Sequence, residues 1–397
     1  MRLLSNQITD YLEKSSWIRR MFEAGTELKK RYGEDRVFDF SLGNPDLPPP
    51  KSVAGALHAI ADQSERPYAF GYMPNSGYPA VREKVAEALA MEHGLEVAPG
   101  DVLMTCGAAG GLNALLRAVL EPGEEVVCPA PFFVEYGFYA ANHGGVLRPV
   151  PAVPPDFRLD LERMAEAVTE KTRVVMINSP NNPTGQIYSE QELRSLAEIL
   201  RDRSSGRERP ILLVSDEPYR FLTYDGSEVP SILKLYEQSV VVSSYSKSLS
   251  LAGERVGYLL VNPGMEGKQE LMDGLVLTNR ILGFVNAPAI GQQVLERALG
   301  SQVDLSIYER RRRLMCSVLE QAGYEFSPPK GGFYIFPKAP GGDDVAFVGR
   351  LQEERVLAVP GSGFGFAGHF RVSFCVDDRI IENSAESFSR AVRGQNC

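Results

Sequence analysis

The sequence predicts an α/β fold: a large domain on a mostly parallel sheet with helices on both faces, joined to a smaller α+β domain. Three observations lead there. Short apolar runs from Asp101 onward alternate with helix-like segments. Several of these runs have no polar face, as strands buried on both sides must. Near Leu282 the rhythm changes to longer helical stretches and shorter strand-like pieces. At roughly 150 residues per domain, 397 residues accommodate both parts.

Taken in order, the first helix is SSWIRRMFEAGTELKKRYG, with Ser15 or Ser16 as N-cap, apolar Trp17, Ile18, Met21, Phe22 and Leu28, and Gly33 as terminator. SLGNPDLPPP follows and reads as a fixed connector, because its prolines and glycine cannot sustain regular structure. The predicted strands are DVLMTC, EEVVCP, RVVMIN, PILLVSDE, SVVVSS and RVGYLLVN. Helical segments such as GLNALLRAVL and SEQELRSLAEILRDR lie between them. Beyond Leu282 come helices at about 287–299 and 303–322, then GGFYIFPK, a helix, VLAVP, a glycine-rich loop and FRVSFCV. The large domain is placed at 46–284, and residues 1–45 with 285–397 form the small one.

Composition excludes several classes. With 42 basic against 51 acidic residues and a net charge of −9, the chain lacks the basic face a nucleic-acid or anionic-membrane protein needs. Its one dense basic cluster, Arg310 to Arg313, reads as a solvated helix face. No run approaches the roughly 18 apolar residues of a membrane span. Five scattered cysteines without Cys-x-x-Cys give no disulfide framework, and with only four histidines no metal site is expected. These features indicate a reducing, cytoplasmic compartment.

In an open α/β sheet ligands sit beyond the carboxyl ends of the strands, and five segments there carry chemistry. Cys106-Gly-Ala-Ala-Gly-Gly111 opens a helix and can offer backbone N–H groups to an anion, though a tight strand–helix turn would use the same residues. Asn178-Ser-Pro-Asn-Asn-Pro-Thr-Gly185 makes a rigid loop able to present Asn182. Its structural alternative is a turn before a helix capped near Ser189. In Ser215-Asp216-Glu217-Pro218-Tyr219 a carboxylate ends a buried strand, which is costly unless it meets a cation such as a protonated ring nitrogen. An N-cap or a protein salt bridge would serve equally. In Ser244-Tyr-Ser-Lys247, followed eight residues later by Arg255, a lysine leaving a buried strand can be desolvated into a nucleophile and base. Arg255 with the Ser244 hydroxyl can bind a phosphate dianion. Finally, Arg371 in the apolar run FRVSFCV must find an anion, from protein or substrate.

Together these segments resemble the class I/II aminotransferases of the fold-type-I pyridoxal-phosphate superfamily, in order from about Ser41 to Val376. The resemblance implies a mostly parallel seven-stranded sheet in the large domain and pyridoxal 5'-phosphate held as an internal aldimine on Lys247. It implies that Asp216 pairs with the pyridine nitrogen, that Asn182 and Tyr219 bond the ring hydroxyl oxygen, and that an aromatic stacks on the ring. PAPFFVEY offers Phe132 and Phe133, of which Phe133 is preferred. The phosphate would rest on the amides of Ala108 and Ala109, with Ser244 and Arg255, and Tyr72 would reach the phosphate of a neighbouring subunit in a homodimer. Arg371 would clamp the substrate α-carboxylate, aided by Asn182 and the backbone at Gly43. The catalytic set is thus Lys247, Asp216 and Tyr219.

Two departures stand out. The phosphate turn has no serine or threonine hydroxyl, and no second arginine is evident for an acidic substrate side chain. Arg280 lies near where the pocket should be, but a structural salt bridge is the favoured role. The expected reaction is amino-group transfer between an L-amino acid and a 2-oxo acid, 2-oxoglutarate being the expected partner and aspartate the donor ahead of aromatic and aliphatic amino acids. Side-chain preference is assigned to Leu282–Asn286, the segment around Trp17 and Ile18, and Arg280. A β-lyase or ring-forming synthase shares the same cofactor and clamp. A ligand-sensing domain of a transcription regulator is a third reading, set aside because the match begins near Ser41 and no basic DNA-binding module precedes it.

Overall fold

The computed structural model describes residues 3–14 and 16–394, with the backbone alone for 13–14 and 16–23. A helix does run from Ser16 to Tyr32 and ends before Gly33, whose φ is 90°. The N-cap at Ser15 or Ser16 and the stripe of Trp17, Ile18, Met21 and Phe22 lie outside the described side chains. After this helix comes a short strand, β1 (Phe38–Asp39), and then the connector.

The central sheet comprises β2 (Val102–Thr105), β3 (Glu125–Ala130), β4 (Val146–Pro151), β5 (Thr172–Asn178), β6 (Leu212–Asp216), β7 (Ser239–Ser244) and β8 (Gly257–Val261). Their spatial order is β2-β8-β7-β6-β5-β3-β4. Pairs from β4 through β7 are parallel, and β8 runs against both of its neighbours. The sheet is therefore mostly parallel and seven-stranded, as expected. Successive residues of one strand enter opposite layers: Val240 and Val242 join one core with Leu112 and Leu115, while Val241 joins another with Leu196 and Leu200. This two-sided burial removes the polar face from the inner strands. The strand absent from the sequence reading is β4, whose side chains are mostly exposed and which contains Pro149 and Pro151. Proline cannot donate a ladder bond and is confined to edges, so β4 looks like a loop in sequence.

A second core gathers Phe333, Phe347, Phe370, Phe374 and Phe388 with Phe40 from the N-terminal segment. Here β9 (Tyr334–Ile335) and β11 (Val359–Pro360) flank β12 (Phe370–Ser373), and β10 (Val356–Leu357) pairs in parallel with β1. Residues distant in sequence thus share this core.

One reading is corrected. Arg310 and Arg313 are solvated as expected, but Arg311 and Arg312 are not. Arg311 is 4% exposed, donates Nη1 and Nη2 to the Asp46 carboxylate at 2.6 and 2.8 Å, and donates Nε to Asp378 at 2.9 Å. Arg312 reaches Asp225 at 2.6 Å. Asp46 belongs to the connector, so the basic helix anchors the proline-rich segment that frames the cleft. Removing one partner of a buried pair strands the others. Arg311→Ala should therefore lower the unfolding free energy by roughly 1–3 kcal/mol, the range reduced because Asp46 and Asp378 remain partly solvated. Arg313→Ala, which loses only an exposed helical pair, should stay within about 0.5 kcal/mol. Denaturant midpoints followed by circular dichroism distinguish the two, and equal shifts would contradict the anchoring role.

Candidate active site

The carboxyl ends of β5, β6 and β7 meet where the second core packs on the sheet. Register places Asn178 beside Asp216 and Asp216 beside Val242, so segments far apart in sequence open into one cleft. Its walls include Gly43, Ala108, Ala109, Phe133, Asn182, Asp216, Tyr219, Ser244, Lys247, Arg255 and Arg371, together with Leu42, Leu112, Asn178, Ser246, Tyr139 and Tyr334.

Each side chain has a local reason for its position. The Asn178 amide donates to the Asp216 carbonyl at 2.7 Å and accepts from the Asn182 N–H at 2.6 Å. Asn181 accepts from both the backbone and the hydroxyl of Thr184. These bonds brace the loop and present Asn182, whose Oδ1 accepts from Arg371 Nη1 at 3.0 Å. Arg371 leaves β12, donates Nη2 to the Ser41 carbonyl at 2.6 Å, and stacks its guanidinium 4.7 Å from the Tyr334 ring. Its Nε is buried without an acceptor. Tyr219 and Tyr334 share a hydroxyl–hydroxyl bond of 3.0 Å. A β-carbon at Gly43 would overlap the Tyr334 hydroxyl, so the connector closes on the cleft only with glycine there.

At the other end, Ala108 and Ala109 lie in the first turn of the helix Gly107–Val119. A β-carbon on Gly107 would sit 2.7 Å from Arg255 Nη2, so the missing side chain lets the guanidinium reach the turn. Helix N-terminus and arginine together make a built anion cradle.

Asp216 is buried. Its Oδ2 accepts from the Tyr136 hydroxyl at 2.6 Å, and its Oδ1 is buried with no partner among the described residues. Burial raises its pKa to about 7, with the Tyr136 hydrogen bond opposing the shift. Lys247 Nζ donates to the Gly43 carbonyl at 2.6 Å, and burial lowers its pKa to about 8, the nearby Arg371 and Arg255 charges adding to the effect. Behind Asp216, the Arg220 guanidinium lies 2.9 Å from both Glu217 and Glu92. The cluster of Glu92, His93 and Glu217 therefore already contains its cation.

Three comparisons bear on this geometry. Residues 35–388 match the family described as aminotransferase class I and II.

The chain belongs to that family.

It is 32% identical to a probable aspartate/prephenate aminotransferase of Thermus aquaticus, over 92% of this chain and 93% of that protein. It is 30% identical to a probable aspartate aminotransferase of Methanocaldococcus jannaschii, over 94% and 95% of the two chains. A solved Eubacterium rectale amino transferase superposes with a TM-score of 0.94 at 36% identity, covering all of both chains. This class I/II aminotransferase is accordingly a pyridoxal-phosphate enzyme that transfers amino groups between amino acids and 2-oxo acids; its relatives' names do not favour the lyase or synthase reading. The cleft fits that cofactor: an unpaired buried carboxylate oxygen faces it, an anion cradle closes one end, and an amine of lowered pKa stands between.

Of the residues singled out from sequence, all the cleft set except Tyr72 converge. Tyr72 is 94% exposed on this subunit. Phe133 lines the cleft, whereas Phe132 packs against Gly365. Arg280 is corrected: it is exposed, does not line the cleft, and has no carboxylate within 4 Å among the described residues. Leu282–Asn286 also misses the cleft walls, and the Asn286 amide bonds Met73 and Pro74 instead. Trp17 and Ile18 fall outside the described side chains. Sequence reasoning missed Tyr136, Tyr139 and Tyr334. Tyr136 and Tyr139 follow Phe133 by three and six residues along PFFVEYGFY, and that helical spacing was the available signal.

The lysine shift has a measurable sign. Its neutral amine is the nucleophile, so acylation of Lys247 in cofactor-free enzyme should rise with pH and level off above about 8. An ordinary lysine continues to rise beyond roughly 10. Peptide mass mapping after brief reagent pulses follows this site alone, and a midpoint near 10 would contradict the burial argument.

Proposed function

We propose that Lys247 is the covalent anchor and proton carrier of transamination in this cleft. The observation that carries the assignment is the pairing of a lysine of lowered pKa with an unpartnered buried Asp216 oxygen in the same cavity. Bound pyridoxal phosphate supplies an electron sink that stabilises negative charge at the substrate Cα. Lys247, with a substantial neutral fraction near pH 7–8, accepts the Cα proton at Nζ and returns it one position away. Asp216 would hold positive charge on the ring nitrogen, and Tyr136 fixes one oxygen of its carboxylate through the 2.6 Å bond. Asn182 and Tyr219 bond the ring hydroxyl oxygen, and Phe133 covers one face of the ring. The amides of Ala108 and Ala109, with Ser244 and Arg255, hold the phosphate.

Arg371 binds the α-carboxylate, its free Nε and planar fork suiting a two-point contact, with Asn182 and the Gly43 backbone alongside. Residues 46–284 act as the large domain, and 1–45 with 285–397 as the small one. The working unit is a homodimer in which Tyr72 reaches the neighbour's phosphate. Exposure of Tyr68 and Tyr72 above 90%, with Phe70 at 46%, supports a covered surface there. The four free thiols among the described residues suit a cytoplasmic setting.

Borohydride reduction of the loaded enzyme and peptide mapping test the anchor; label on a lysine other than Lys247 would refute it. Lys247→Ala should lose at least roughly 10²–10⁴ in rate, the worth of positioned proton transfer alone. Arg371→Lys keeps the charge without the fork, so the KM of every amino-acid donor and oxo-acid acceptor should rise. An unchanged KM in steady-state assays would remove Arg371 from the substrate site.

A further inference from the structure

The charged side chains on the cleft wall are Asp216, Lys247, Arg255 and Arg371, and the functions proposed above occupy all four. Arg255 meets the phosphate, Asp216 the ring nitrogen and Arg371 the α-carboxylate, while Lys247 serves as the cofactor's anchor and the carrier of the Cα proton. Among the described residues, no lining cation of this subunit is left for a carboxylate on the substrate side chain. What remains is uncharged: Leu42, Leu112, Tyr139 and Tyr334, with Asn178, Pro218, Ser246 and Ala252 nearer the strand ends.

Glu135 adds to this inventory. It opens the helix Glu135–Asn142 and precedes the cleft-lining Tyr139 by four residues, so the two side chains share a helix face. Its Oε2 is buried with no hydrogen-bond partner among the described residues. Two cleft phenols register its charge, and one cleft cation acts on it. Burial raises the Tyr139 phenol and Glu135 raises it further; Glu135 also contributes to the raised Tyr334 phenol; and the Arg371 charge partly offsets the burial that raises Glu135 itself. Glu135 is not itself on the cleft wall, but it follows Phe133 by two residues and precedes Tyr139 by four, and both of those line it, so its carboxyl group, with Oε2 unpaired, lies at the margin of the cleft.

We infer that Glu135 determines specificity, closing the side-chain end of the cleft to a second carboxylate and favouring amino donors with neutral side chains. The inference rests on the assignment of Arg371 to the α-carboxylate. A second carboxylate brought here has no countercharge among the described residues of this subunit. It must either face Glu135 as a like charge or share a proton with it, and both weaken binding. The relatives are named for aspartate, and aspartate is also the donor expected from sequence. The charge inventory of this cleft argues for a different class.

The test uses the cofactor-loaded enzyme and compares aspartate with leucine and phenylalanine before a common oxo acid. Wild type should favour the neutral donors by roughly 10-fold or more in kcat/KM, as like-charge placement predicts. Glu135→Gln, nearly isosteric, should raise the aspartate-to-leucine ratio by about 10-fold; Glu135→Ala should move it the same way. Binding provides a second readout: maleate and 3-phenylpropionate, neither of which can transaminate, are titrated against the cofactor absorbance. The maleate-to-phenylpropionate affinity ratio should rise in both variants. Wild-type preference for aspartate, pointing to a cation from the partner subunit, overturns the inference, as does an unchanged ratio. Borohydride label away from Lys247 instead overturns the function on which it rests.

Discussion

Asp216 ends the central strand β6 with almost no exposure, one carboxylate oxygen bonded to Tyr136 and the other to nothing among the described residues. An ionised carboxylate without a countercharge is disfavoured in such a place, and its raised pKa expresses that cost. The surrounding structure maintains the condition. Parallel neighbours bury the strand on both faces, Asn178 holds the Asp216 carbonyl from β5, and the helix carrying Tyr136 supplies one donor but not a second. A cation that enters this cleft meets a carboxylate oxygen that no described protein group bonds.

Strand register turns sequence distance into contact on the sheet side of the cleft, while the second core supplies the opposite wall. Arg371 comes from β12, yet it donates to Asn182 in the loop after β5 and to the Ser41 carbonyl in the segment leading to the connector. The connector is held in turn by Arg311 through Asp46. The Arg371 guanidinium, the proline-rich segment and the sheet loop are thus one bonded chain, and the Gly43 carbonyl in that chain accepts from Lys247. Displacing any one of these groups changes the spacing between clamp and amine.

The parts legible in sequence share a physical cause. Strands buried on two faces become apolar runs, and a polar residue directly after such a run is conspicuous; Asn182, Asp216, Lys247 and Arg255 were visible for that reason. The parts that stayed hidden lack that contrast. Strand β4 is an exposed edge with prolines. Arg311 sits in a run of arginines, and its partner Asp46 is 265 residues away, so no local pattern separates a buried arginine from three more exposed ones. Tyr136 and Tyr334 resemble any other core aromatic until their hydroxyls are seen to end on Asp216 and Tyr219. Arg280 was drawn toward the pocket by proximity in sequence, which a helix end pointing into solvent does not honour.

Burial acts on the two central groups with opposite chemical results. It moves the Lys247 ammonium down to about 8 and the Asp216 carboxyl up to about 7, each toward its neutral form. A neutral amine is the reactive form of lysine, so on that side desolvation creates function directly. A neutral acid cannot hold a cation, so on the other side desolvation withholds function until positive charge arrives. A ligand bearing both a cationic ring nitrogen and an electrophilic carbon reverses the second effect while exploiting the first. One low-dielectric cavity therefore suits that combination better than either group alone, and neither shift would survive if water filled the space between them.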